Sequence, residues 1–125
     1  MGTGDRGWTV TVRRGEVRDV DFSTPGGTKD LTRSAIIVSN DRANRAAERL
    51  ERGLVTVVPI SGDVRRFDSF HVLIPAGDAG SPGDSKAHCD QVRSISVKRV
   101  GERTGTVPKR VLGEIERALR VHLDL

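Results

Sequence analysis

Two apolar runs decide the fold, Ala35-Ile36-Ile37-Val38 and Leu54-Val55-Thr56-Val57-Val58-Pro59-Ile60. Each is short, rich in β-branched residues and free of charge, which is the pattern of a buried strand. Between them Asn40 or Asp41 is placed to cap a brief helix through Arg42 to Leu50, and Gly53 ends it. Ser61-Gly62-Asp63 closes the second run with turn residues.

Upstream of this unit, Arg14-Gly15-Glu16 leads into a short β-like segment from Val17 to Phe22. Arg18, Val20 and Phe22 share one face by the twofold repeat of a strand. A loop, Ser23 to Asp30, follows. Downstream, Phe70 to Pro75 is a third apolar strand, and Gly77 to Gly83 is another loop by composition. Ser85 to Val97 reads as one long strand, with Ala87, Cys89, Gln91, Arg93 and Ile95 on one face and His88, Asp90 and Val92 on the other. Gly101 to Gly105 forms a final short turn or strand. Thr106 or Val107 then caps a helix whose first turn suits Pro108. Val111, Ile115, Leu119 and His122 recur there at helical spacing beside Leu112 and Ala118, and Glu116 and Arg120 stand four apart. Several short strands followed by one packed helix predict an α+β chain, a small and strongly curved β-barrel with helical cover.

With 125 residues the chain has the size of one domain. Residues 14–125 are expected to form it, behind a flexible leader of residues 1–13 that has no apolar signal region. Trp8, Phe22, Phe67 and Phe70 are the only aromatics, so the core rests on Val, Ile, Leu and Ala. The formal net charge is +4, carried mainly by arginine, whose planar fork of donors suits phosphate; this points to an anionic partner such as nucleic acid. Cys89 is the single cysteine, which excludes an internal disulfide and favours a reducing, cytoplasmic setting. No apolar stretch is long enough to cross a membrane.

The chemistry is narrowed by what is missing. There is no HExxH, no zinc-like Cys/His spacing, no P-loop and no GxGxxG. An enzyme built from the remaining polar and basic groups has RNA as one substrate within reach, because RNA carries its own nucleophile in the 2′-hydroxyl. A base, a set of donors for the phosphate oxygens and an acid then suffice. Arg33, anchored at the start of a buried strand, and Ser61, at the end of another, are candidates. His88 and Asp90, two apart on one strand and roughly 7 Å from each other, are the candidate proton-transfer pair. The spacing alone leaves plainer readings open: a solvated arginine, a turn serine and a simple hydrogen-bonding pair.

Four stretches, in order, resemble the MazF/PemK family of toxin endoribonucleases. They are Arg14-Gly15-Glu16-Val17 with Val20-Asp21-Phe22, Thr32-Arg33 leading into Ala35 to Asp41, Val57-Val58-Pro59-Ile60-Ser61, and Asp84-Ser85 through Cys89-Asp90-Gln91-Val92-Arg93-Ser94-Ile95. The closing segment from Val100 to Leu125 is similar to the family's C-terminal helix. The resemblance implies an SH3-like barrel, a homodimer, a cognate antitoxin, no cofactor and no metal, and cleavage of single-stranded mRNA to 2′,3′-cyclic phosphate and 5′-hydroxyl ends. It carries catalytic roles onto Arg33 and Ser61 and acid–base roles onto His88 and Asp90. Lys29, Thr32, Asn40, Arg65 and Gln91 are the RNA-binding positions expected with them, and loops 23–31 and 65–69 the groove walls. The chain departs from the family at Ser34, where proline is usual, at Thr28, where an acid is usual, and at Arg18, where tryptophan is typical. Arg18 thereby puts a charge on the face that Val20 and Phe22 bury. Two other readings share the barrel: a non-enzymatic gyrase poison acting through the C-terminal helix tip, and a degenerate member that only binds RNA or antitoxin.

Overall fold

The computed structural model describes residues 11–23, 31–50 and 52–125. Seven strands run β1 (Glu16–Asp21), β2 (Thr32–Ile37), β3 (Leu54–Ser61), β4 (His71–Ile74), β5 (Ser85–His88), β6 (Arg93–Ser96) and β7 (Val100–Thr106). Helix α1 (Asp41–Leu50) joins β2 to β3, and α2 (Lys109–Leu123) follows β7. All pairings are antiparallel, in the order β4-β5-β3-β2-β1-β7, with β6 paired to β3.

The two apolar runs are β2 and β3, and they lack polar alternation because both of their faces are covered. Ile36, Val38, Val58 and Ile60 join Val72, Ile74 and Ala87 in a core closed by Val111, Ile115 and Ala118 of α2. Ala35, Ile37, Val55 and Val57, of opposite parity, join Val20, Phe22, Ile95 and Val100 in a second core covered by Ala47 of α1.

Pro59 sits where the sheet divides. The carbonyl of Thr56 accepts from Val38 on the β2 side, so alternation turns the backbone of Pro59 to the opposite edge. On that edge β6 pairs as far as Val57↔Arg93 and β5 begins at Ile60↔Ala87. A proline lacks the N–H that a continuous ladder would use there. Because β5 and β6 share one edge of β3, Ser85–Val97 is not the single strand expected. It breaks at a 3₁₀ turn, Cys89–Gln91.

The two ends of the strand order meet through glycines. Gly80, at φ +76°, lies so close to β7 that a Cβ would stand 2.1 Å from the Thr104 carbonyl oxygen, and one on Gly105 would stand 2.6 Å from the Ala79 backbone. Only backbones without side chains approach this closely. The contact closes the expected barrel and fixes the β4–β5 loop.

Other expectations are corrected locally. Val12, assigned to the leader, is buried in the second core, and its amide donates to Glu48 Oε2; packing therefore begins before residue 14. The N-cap of α2 is Pro108, not Thr106 or Val107, and no side chain caps it. Glu116 pairs with Arg14 across the fold, not with Arg120. Asn40 does cap α1, accepting from the Ala43 amide at 2.8 Å.

Arg18 is buried as its neighbours require, and its charge is matched. Its Nε and Nη2 donate to Glu16 Oε1 at 3.0 and 2.8 Å, Nη1 to the Gly101 carbonyl at 2.9 Å and Nη2 to the Thr11 carbonyl at 2.7 Å. Glu16 also accepts from the Arg13 amide. A buried ion pair is tolerable when its remaining donors are satisfied in this way.

Candidate active site

Arg33 is placed by register: β1 pairs it with Val20, on the strand whose buried residues cannot slip without exposing the core. Its exposed side chain lies between two cavities. The first, of about 260 Å³, is lined by Val17, Arg33, Ser34, Ile60, Ser61, Gly62, Ala79, Ser81 and Ser85. The second, of about 390 Å³, is lined by Phe22, Leu31, Arg33, Pro59, Gln91 and Arg93. The β4–β5 loop that the glycine contact pins thus supplies Ala79 and Ser81 to the lining of the first cavity.

Ser61 ends β3 in the first cavity, and its Oγ lies 2.7 Å from His88 Nε2 at the end of β5. The pairing Ser61↔Lys86 places the two strand ends beside each other. Burial, the neighbouring His71, Lys86 and Arg33 lower the His88 pKa, while Asp90 opposes them. The imidazole is therefore neutral near pH 7 and able to accept a proton. Removing a proton from Ser61 or from a bound hydroxyl is chemistry this arrangement can support.

Asp90 joins the site by a different route from the one expected. It lies in the 3₁₀ turn, not on a strand with His88, and side-chain donor atoms of His71, His88 and Asp90 all fall within 4.8 Å of one another. Its Oδ1 is buried without a hydrogen-bond partner among the described residues. His71 was not foreseen. The β4–β5 register sets it opposite His88, with the rings edge-on and centroids 5.0 Å apart. Its Nδ1 accepts from the Asp68 amide at 3.0 Å. Only the register of β4 against β5 could have revealed it, and a ten-residue connection hides that register in the sequence. Neighbouring Cys89 is buried, its thiol pushed up to about 12 by desolvation, so it is an inert packing group.

The remaining expected positions divide. Gln91 shares the second cavity with Arg33. Arg65 lines a third, with Asp63, Arg66, Asp68, His71 and Lys86, and is held by a two-pronged pair with Asp63 at 2.9 and 3.0 Å. Thr32 pairs with Asp21 at the start of β2, next to Arg33. Asn40 caps α1, its Oδ1 accepting from the Ala43 amide. Lys29 and most of the 23–31 loop, with Thr28, lie outside the described residues. Sequence reasoning also missed Lys86, which is buried, donates to the Arg66 carbonyl at 2.7 Å and lies over the Phe67 ring.

Residues 13–123 match the family model of the PemK-like, MazF-like toxins of type II toxin-antitoxin systems. The chain is 41% identical over 115 residues to endoribonuclease MazF9 of Mycobacterium tuberculosis, covering 91% of this chain and 98% of that one. It is 46% identical over 69 residues to the probable endoribonuclease MazF1 of the same organism, covering 54% and 69%. Among solved structures it is similar to MazF of Deinococcus radiodurans, at a TM-score of 0.74 and 21% identity over 93% of this chain and 99% of that one. A mycobacterial endoribonuclease solved with its cognate antitoxin matches at a TM-score of 0.72 and 24% identity, over 91% and 96%.

Proposed function

The chain belongs to the PemK-like, MazF-like toxin family of type II toxin-antitoxin systems, and from that premise we propose that it is an endoribonuclease cutting single-stranded mRNA with Arg33, Ser61 and His88. The observation that carries this reading is the convergence of an exposed guanidinium and a Ser61–His88 hydrogen bond of 2.7 Å on one cavity.

His88 takes the proton of the 2′-hydroxyl, directly or through Ser61. The freed 2′-oxygen attacks phosphorus, the P–O5′ bond breaks, and the products are a 2′,3′-cyclic phosphate and a 5′-hydroxyl whose proton comes from water. The His88 imidazolium then returns its proton to solvent, so protons balance. Arg33 stays charged throughout, since its pKa lies above about 12, and its donors hold the charge that develops on the phosphoryl oxygens. Asp90, which favours the charged form of His88, stabilises the imidazolium as it forms. Gln91 and Arg93, which line the second cavity with Arg33, and Arg65, which lines the third with His71, offer donors to the RNA backbone, with Thr32 beside Arg33.

On the same premise the active form is a homodimer, and the partner that silences it is a cognate antitoxin covering the groove. Among the described residues no helix is long and apolar enough to cross a membrane, in keeping with a toxin acting on cytoplasmic mRNA. End-mapping of labelled RNA incubated in EDTA tests the proposal. Cuts at a defined short sequence with cyclic phosphate ends are the expected result; intact RNA, with gyrase trapped on DNA or RNA merely retained, overturns it.

A further inference from the structure

The proton-transfer half of the site has a second chemical identity. His71, His88 and Asp90 are two imidazoles and a carboxylate, converging from β4, β5 and the 3₁₀ turn, with donor atoms within 4.8 Å of one another. Tetrahedral ions bound at about 2.0–2.2 Å hold their donors roughly 3.3 Å apart, so side-chain rotations of an ångström or so close the set. Asp90 Oδ1 is buried and has no partner among the described residues, which costs a folded protein stability unless something meets it. From this juxtaposition we propose that His71, His88 and Asp90 form an inhibitory site for a divalent first-row transition ion of the Zn²⁺ class. Two nitrogen donors select such ions over Mg²⁺ and Ca²⁺, which take oxygen.

Asp68 completes the argument for His71. Its amide now donates to Nδ1, which leaves the ring proton on Nε2. Its carboxylate Oδ2 lies 3.9 Å from the same Nδ1. When Nε2 binds an ion the proton moves to Nδ1, the Asp68 amide gives up its bond to that nitrogen, and the carboxylate of Asp68 is at hand to accept a hydrogen bond from Nδ1–H. A carboxylate behind a ligating histidine raises its basicity and fixes its tautomer.

Inhibition follows whichever nitrogen of His88 is used. Bound through Nε2, the ring gives up Ser61. Bound through Nδ1, it carries its proton on Nε2 and only donates to Ser61. In both cases no basic lone pair remains for the 2′-hydroxyl. Binding stands on the geometry alone, whereas inhibition also rests on His88 as the base, and separate measurements read the two.

Calorimetric titration of the full chain with Zn²⁺, and Co²⁺ absorption as a spectroscopic signature, read binding. One ion per chain is expected. His71→Asn retains an acceptor for the Asp68 amide and removes Nε2; His71→Phe retains the ring shape against Phe67 and Phe70. Each is expected to weaken Zn²⁺ at least 10-fold, and Asp68→Asn to weaken it about 10- to 100-fold. Cleavage by the wild type should cease at the Zn²⁺ concentration that fills the site and return with EDTA. The rate of His71→Asn with Zn²⁺ at that concentration, taken as a ratio to the same variant's own metal-free rate, should stay near one while the wild-type ratio falls to zero. Absence of uptake, or uptake unchanged in both His71 variants, overturns the site. Uptake with undiminished cleavage overturns its inhibitory role and, with it, His88 as the base; loss of cleavage in metal-free wild type would strike the proposed function and leave the titration standing.

Discussion

Ser61 Oγ and His88 Nε2 are 2.7 Å apart although 27 residues separate them in the chain. What joins them is the short β3–β5 ladder, Ile60↔Ala87 and Ser61↔Lys86, which starts where Pro59 has ended the β6 ladder. The same break that misled the reading of 85–97 as one strand is therefore what delivers His88 to Ser61.

The pH profile of cleavage should report this histidine. A base works when deprotonated, and burial with the neighbouring cations lowers the His88 pKa below its ordinary 6.5. The acid limb of kcat/KM is accordingly expected below pH 6.5, with activity rising as pH rises through it. Asp90→Asn removes the charge that opposes the shift and should move the limb lower still. The same sign governs stability: the unfolded chain binds this proton more readily, so the contribution is present above pH 6.5 and is lost as pH falls through the folded pKa. A limb above pH 6.5 would remove His88 as the base.

Arg33→Ala should lower the cleavage rate about 100- to 1,000-fold, the usual cost of a preorganised donor. Its side chain is exposed, so circular dichroism and denaturation midpoint should stay at wild-type values. Arg33→Lys keeps charge without the fork and should recover only part of the loss. Wild-type rates in Arg33→Ala would take the guanidinium out of the site.

Glu16→Gln leaves Arg18 buried beside a neutral amide, and urea unfolding should show a loss of about 3–5 kcal/mol. Replacing both by apolar residues, Glu16→Leu with Arg18→Met, should cost less than that single change, because an uncompensated charge no longer has to be buried. Equal or greater loss in the double variant would mean that the pair itself stabilises the fold.

Gly105→Ala is expected to destabilise the chain and to depress cleavage beyond what lost folded protein explains. Its new methyl group pushes on Ala79, whose loop walls the cavity of Arg33 and Ser61. Unchanged kcat per folded molecule would separate the barrel closure from the site.

RNA binding should fall steeply with salt, since arginine–phosphate contacts release counterions. Titration between about 50 and 200 mM salt checks this, and a flat response would exclude the basic surface as the RNA track.

How much was legible follows from what each residue depends on. Composition and period placed β2, β3 and α2, because apolar runs and a 3.6-residue repeat are local properties. Arg33 and Ser61 were visible as strand-end residues, and the family resemblance gave them roles. The surroundings of Arg18 were half visible: alternation put Arg18 inward, but Glu16, which accepts from it, stood ahead of the segment read as a strand, and the Thr11 and Gly101 carbonyls reach it from other parts of the fold. His71 was invisible because its meaning lies in a cross-strand register, whereas the capping role of Asn40 could be read locally from its place ahead of α1.

The chemistry comes down to whether the scissile phosphate is attacked by its own ribose. An oligonucleotide carrying the cut sequence with a single 2′-deoxyribose 5′ to the cleaved bond measures this directly. The wild-type protein should bind it as tightly as the all-ribose strand and leave it whole. Cleavage of the deoxy strand at a comparable rate would mean that water or a protein group is the nucleophile, and the arrangement of Arg33, Ser61 and His88 would then need another explanation.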